Sequence, residues 1–398
     1  MKRKSPVLIA LFVLFVFLSF VLIPVSALTD SDSPSQGKNQ FVEQFCELDI
    51  VAAAVIHVKT VYTNEDFPGV FAIEPLYNLS NDVVAHKLYM TDNSYIVINA
   101  KKENPVVIEF SDPGVVSSRD LDRLMLQNRR YYVAPGIIFD EKDIFGYGVN
   151  EQVESFGSFN DIQEMEFAFN KMLSTPNEKL TALHNEALQF LTNYVDNELI
   201  RGNTKNSSIQ ELYDFLVDEY DLPIWESYYY KYLRGVENIT NWGTTGEFSD
   251  LANNHCAATS AFNVTHYYRT RFGDPIVNSD RLSVFEEIHS FICDGPVTPL
   301  EYRARYRSYV SVETSYNVSI VAPAFTWANY KSYIHDGYVV LMCVWPELLS
   351  AHMINGVGYR EYPSGNYCAV LDNWNSSGMV YTLFGEELFS MFCIKLTE

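Results

Sequence analysis

The chain has 398 residues, 47% apolar and 15% aromatic, and 28 Lys and Arg stand against 50 Asp and Glu for a net charge of −22. That balance supplies material for real cores, which excludes global disorder, and it excludes binding of nucleic acid or an anionic membrane through a basic patch. Six cysteines, none in a Cys-x-x-Cys pair, are too scattered for a disulfide framework or a zinc site.

Residues 1–27 read as a secretory signal. Lys2, Arg3 and Lys4 are followed by a run from Val7 to Ile23 that is apolar except at Ser19. Pro24 then breaks the run, and Val25 and Ala27 occupy the two positions a signal peptidase reads. The run is at the lower edge of bilayer-spanning length, and its small-residue site favours cleavage after Ala27 over an uncleaved anchor. Removing the signal takes away positive charge only, so the mature chain is still more acidic. A secreted, extracellular protein is expected, with no membrane contact after cleavage.

Residues 28–40 are polar, rich in Ser and Asp, and read as a disordered lead-in. From Phe41 to Val58 the apolar spacing is helical. Short alternating runs at 70–73, 83–89, 95–100, 106–110 and 130–133 then read as strands, bounded by turn signals such as Asp92-Asn-Ser94 and Asp112-Pro-Gly114. Together, 41–150 make a small α+β domain. Helical periodicity over 161–173, 177–199 and 208–219 makes 151–245 a helical connector. Beyond it, helices are expected over 257–271 and 282–292. A further helix at 327–334 leads into strands at 338–344, 352–359, 367–372 and 380–383, with a closing helix and strand over 386–396. Helices first and antiparallel strands second give 246–398 an α+β signature as well.

A reactive thiol needs an imidazole to draw its proton, and the imidazole needs a polar group to fix its tautomer. Asn253-Asn-His-Cys256 places a cysteine where a helix begins, with small residues Ala257 to Ser260 behind it. There the unpaired amides and the dipole favour thiolate, so a thiol pKa below the ordinary value of about 8.5 is expected. The Cys256 amide, with Asn253 or Asn254, would form an oxyanion hole. His352 opens a strand in which Gly356 and Gly358 permit close approach. Twenty residues on, a buried run ends in Asp372-Asn373-Trp374. By strand alternation Asp372 shares a face with Trp374, which makes Asp372 the orienting group and Asn373 its substitute. The Asn263 sequon falls inside the nucleophile helix, where a glycan would not fit.

The order Cys, His, Asp/Asn and its local motifs resemble the papain-like cysteine peptidases, especially the bacterial streptopain-like and double-glycine-leader-peptidase-like branches. Cys256-Ala-Ala-Thr-Ser260 with Tyr267-Tyr268 is similar to their nucleophile helix, His352 through Tyr359 to their histidine strand, and Leu371 through Trp374 to their orienting turn. Asp82-Val-Val-Ala-His-Lys87, Ser94 through Ala100 and Val106 through Ser111 resemble the streptopain propeptide. Where the family usually carries a Gln, about six residues before the Cys, this chain has Asp250. The resemblance implies a small α+β pro-domain followed by a papain-like domain, its nucleophile helix packed on an antiparallel sheet. It implies a secreted cysteine endopeptidase made as a zymogen, with residues 41–150 as intramolecular inhibitor, a peptide or protein as substrate, and no metal or organic cofactor. Two other readings stay open: an inactive papain-fold binding protein, and a papain-fold acyltransferase. Terminal sequencing of exported protein should begin at Leu28, and an intact mass retaining residues 1–27 would select the anchor instead.

Overall fold

The structure, a computed structural model, describes residues 36–61, 67–101, 104, 106–125, 128–135, 137–141, 159–174, 177–200, 208–221, 229–249, 256–293, 297–344, 352–363, 365–386 and 389–398. The signal, most of the lead-in, Asp250, Asn253 and Asn254 lie outside the described residues. The chain from Cys46 onward forms one compact unit.

Helix α1 (Gln36–Val61) begins five residues earlier than the apolar spacing suggests. Nearly every residue from Leu48 to Val58 is buried, so the helix is a core element rather than an amphipathic surface one. A meander follows: β1 (Val70–Tyr77), β2 (Val83–Met90), β3 (Tyr95–Asn99) and β4 (Val107–Ser111), each antiparallel to the next. Asn81 and Asn93 take the left-handed turn positions between strands, where a short polar side chain is tolerated. Helix α2 (Ser118–Met125) leads to β5 (Arg130–Ala134), which runs parallel to β1, and to β6 (Ile137–Asp140). Three helices come next: α3 (Phe159–Met172), α4 (Glu178–Ile200) and α5 (Ile209–Glu219), the last started by a capping box between Ser208 and Glu211.

The second half contains β7 (Tyr229–Tyr232), α6 (Cys256–Arg271), α7 (Arg281–Ile292), α8 (Pro299–Glu313), β8 (Asn317–Val321), α9 (Trp327–His335), β9 (Val339–Val344), β10 (Met353–Tyr362), β11 (Gly365–Leu371), β12 (Val380–Leu383) and β13 (Phe389–Thr397). The α+β class stands. Helix α8 and strand β8 are additions to the sequence reading, although Thr298-Pro-Leu-Glu301 carries a capping box with Pro in the first turn. The expected helix before the last strand is not formed at 385–386, and β13 starts at Phe389.

The described strands join one sheet in the order β6-β5-β1-β2-β3-β4-β12-β11-β10-β9-β13-β8, with β7 added to β10. The halves of the chain meet where β4 pairs with β12 through Ser111 and Val380, Phe110 and Tyr381, and Glu109 and Thr382. Phe110 stacks on Tyr381 with 4.6 Å between ring centroids. Asp112 accepts from the Met379 amide and the Tyr381 hydroxyl, and Arg360 donates to Tyr232, Tyr362 and Tyr381 beside it. Gly358 lies so close to β7 that a Cβ there would stand 2.3 Å from the Tyr232 ring. Gly356 likewise faces the Tyr330 hydroxyl.

His57 of α1 is buried at this seam. Its ring meets Phe110 edge-on at 4.4 Å, with Tyr362 and Tyr367 beyond, and neither ring nitrogen has a hydrogen-bond partner. Burial, helped by the Arg360 charge, pushes its pKa from 6.5 down to about 3. The unfolded chain therefore takes up a proton at this residue below pH 6.5 that the folded chain refuses until about pH 3. The stability of the neutral ring is complete above 6.5 and is lost as pH falls toward 3. For His57 alone the loss at pH 4 is on the order of 3 kcal/mol. Urea unfolding at pH 7 and pH 4 should show a smaller difference for His57→Leu than for the parent chain.

Candidate active site

Cys256 is the first residue of α6, so its side chain stands among helix amides that have no intrahelical acceptor. Every residue from Ala257 to Tyr268 is buried, and the small residues at 257–261 let the first turns pass through the core. Backbone N–H groups of Met353, Ala257 and Cys256 itself favour the thiolate, but burial outweighs them and pushes the thiol above its ordinary value. The expected lowering is thus reversed in this state. The helix-terminus effect, typically under about 1 kcal/mol, is weaker than the cost of removing a thiolate from water.

The Met353 amide belongs to the residue after His352, and this contact brings the start of α6 to the start of β10. Ser260, one turn beyond Cys256 on the same helix face, donates to the Met353 carbonyl at 3.0 Å. His352 is 3% exposed. The Trp374 ring stacks on it at 4.4 Å and 10°, covering one face of the imidazole. The Nε2 of His352 lies 3.1 Å from the Asp372 carbonyl oxygen, and because a carbonyl can only accept, Nε2 carries the proton. Nδ1 is then the basic nitrogen. Burial pushes the His352 pKa from 6.5 to about 4, partly opposed by this hydrogen bond.

Asp372 and Asn373 are both beside His352, but neither side chain holds it. Strand β11 ends at Leu371, so strict alternation stops one residue before Asp372 and the face argument no longer applies. The Asp372 carboxylate closes a turn instead: Oδ1 accepts from the amides of Trp374 (2.9 Å) and Asn375 (3.0 Å), and Oδ2 from the Asn375 side chain (2.6 Å). It thereby fixes Trp374 over the imidazole. Burial raises its pKa, against those hydrogen bonds and the Lys87 charge. Asn373 is in the left-handed region at φ 65°, and its buried side chain donates to Ser260 and to the Met353 carbonyl.

Sequence reasoning left two polar residues without a role here, Ser260 and Asn263. The Asn263 amide is buried, with its side-chain oxygen accepting from the Gly243 amide at 2.7 Å and its nitrogen donating to the Gly243 carbonyl and to Asn373. No room for a glycan remains. The signal was present in the spacing, since 256, 260 and 263 fall at i, i+4 and i+7 and so share one face of the helix.

The chain matches no family model and no curated protein. Among the described residues there is no cluster of three His, Cys, Asp or Glu able to hold a metal, and no helix is long and apolar enough to cross a membrane. What the arrangement offers chemically is a thiol at a helix terminus, a neutral imidazole with a defined basic nitrogen, and an aromatic shield. With both groups uncharged at neutral pH, iodoacetamide should alkylate Cys256 more slowly at pH 7 than the exposed Cys293. The Cys256 rate should still be climbing above pH 9, whereas a plateau near pH 6 to 7 would reveal a thiolate–imidazolium pair.

Proposed function

We propose that the chain is an exported papain-like cysteine peptidase, with Cys256 as nucleophile and His352 as general base and acid. The observation that carries this reading is the meeting of the Cys256 thiol with the His352–Met353 backbone while the imidazole is held through Nε2 and capped by Trp374. Nδ1 of His352 takes the thiol proton as sulfur attacks the scissile carbonyl. The amides of Cys256 and Ala257 face the sulfur and would accept the developing negative charge, with Asn253 or Asn254 as further donors. The imidazolium gives its proton to the departing amine, and water activated by the same nitrogen releases the acyl group.

The neutral pair supports general-base attack rather than a standing ion pair, and it suits a latent form. On this reading residues 41–150 restrain the 246–398 part until they are displaced. The substrate is a peptide or protein, and no cofactor takes part.

The test uses the exported full chain and a peptidyl vinyl sulfone, before and after limited proteolysis. Labelling should map to Cys256, disappear in Cys256→Ala, and fall by about 10²- to 10⁴-fold in His352→Ala, the usual range for losing a general base. Faster peptide hydrolysis after proteolysis supports the restraining role of 41–150. Labelling that survives Cys256→Ala, or none in either state, overturns the reading in favour of a binding protein. Transfer to an added amine in preference to water would select acyl transfer.

A further inference from the structure

The Asp372 carbonyl that receives the His352 proton is half of the peptide joining residues 372 and 373. A peptide unit is planar, so the direction of this oxygen is set by the backbone on either side of it, including the φ of Asn373. That φ is 65°, a left-handed conformation that costs a non-glycine residue roughly 1–2 kcal/mol and persists only where the surroundings hold it. The holding groups are hydrogen bonds, three of them to buried partners. The Asn373 side-chain nitrogen donates to Ser260 Oγ at 2.8 Å and to the Met353 carbonyl at 2.6 Å. Its oxygen accepts from the Asn263 nitrogen at 2.8 Å, and its backbone carbonyl accepts from the Thr245 amide at 2.8 Å.

The amide orientations are fixed by the network itself. The Gly243 N–H can only donate, so the Asn263 atom facing it is oxygen and the other is nitrogen. That nitrogen needs an acceptor, which makes the facing Asn373 atom oxygen. The Asn373 nitrogen then meets the Met353 carbonyl, which can only accept. Each assignment follows from its neighbour, so the whole chain of contacts has one self-consistent arrangement.

We infer that Asn373, anchored by Asn263 and Ser260, is a positioning residue that aims the Asp372 carbonyl at His352 and so selects the imidazole tautomer in which Nδ1 is the basic nitrogen. The inference rests on the reading of Cys256 and His352 as the reacting pair. The two neighbours act together: the Asp372 carbonyl holds the His352 ring, and the Asn373 side chain holds the next carbonyl along, that of Met353. The nucleophile helix enters through Ser260, four residues from Cys256, and the 241–249 loop that leads toward the nucleophile enters through Asn263 and Thr245. Four segments are thereby registered on one another through two asparagines and a serine.

The test is Asn373→Gly in the full chain, because glycine keeps the left-handed backbone and removes only the side chain. The direct readout is ¹⁵N NMR of ¹⁵N-histidine-labelled protein, which distinguishes the two imidazole tautomers and follows their titration without any need for activity. The parent should show His352 protonated on Nε2 and titrating near pH 4. In the folded variant the His352 signals should show mixed tautomers and a titration midpoint moved toward 6.5, and vinyl-sulfone labelling of Cys256 should fall at least 10-fold. Ser260→Ala, a substitution a helix accepts, should move both readouts the same way by less, and it decides the matter if Asn373→Gly fails to fold. An unchanged His352 tautomer and midpoint in either folded variant would overturn the inference. A parent chain that never labels at Cys256, with the tautomer shift still present, would instead overturn the peptidase reading and leave the positioning contact standing.

Discussion

The peptide between His352 and Asn355 is where the candidate site is built, and the Met353 carbonyl is its anchor. That oxygen uses both lone pairs, one for Ser260 and one for Asn373, and the Met353 amide turns toward the Cys256 sulfur. The start of a strand has ladder partners on its flanks but no constraint on its height above the sheet. Here a helix hydroxyl and a turn amide supply that constraint. Because these polar groups are buried, leaving one unpaired would cost roughly 1–3 kcal/mol, more than the net gain of a typical hydrogen bond. The network is therefore held as much by the penalty for breaking it as by the strength of each contact.

Burial then decides the charge state. At Cys256 three backbone N–H groups favour thiolate, yet desolvation wins and the thiol is pushed up. At His352 a carbonyl acceptor favours the protonated ring, yet desolvation again wins and the ring stays neutral to about pH 4. The two shifts point in opposite directions on the pH scale and have one cause. A pair that is neutral on both sides has no ion-pair attraction to hold it, which explains why its geometry has to come from the surrounding hydrogen bonds. The stacked Trp374, itself held by the Asp372 carboxylate, adds to the desolvation by covering the imidazole.

Much of this was legible in the sequence because the relevant signals are local. Periodicity marked α1, α6 and most strands of both halves, though not β6, β7 or β8, and the polar-to-small step at Cys256 marked a helix start. Short turn motifs placed Asn81 and Asn93 correctly as turn residues. Non-local choices were harder to read. Whether Asp372 continues a strand or opens a turn depends on where the ladder with β10 runs out, and that register is set by residues such as Asn355 opposite Leu371, not by the Asp372 segment. The role of Asn263 depended on a partner 20 residues away in one direction and 110 in the other. A sequon inside a helix looked like chance, and its burial as a bridging amide gives the asparagine a structural reason. Helix α8 was missed because its apolar pattern is mostly tyrosine, which reads equally as strand.

The continuity of the sheet bears on how its two halves are held together. Among the described residues, strands from 70–140 and from 317–397 pair through three residue pairs between β4 and β12, a short seam for so large a sheet. Around it, however, stand the Phe110–Tyr381 stack, the Asp112 contacts to Met379 and Tyr381, and the Tyr367 hydroxyl bonded to the Val107 carbonyl. Separating the halves would expose the edge of β12 together with a cluster of aromatic rings, and an open apolar edge is a template for pairing with another extended chain. It would also admit water to His57, whose neutral state depends on being covered. At His57 acid therefore acts in one direction. The proton that His57 takes up favours the open form, because there the charge can be solvated, and the neutral ring favours the closed sheet.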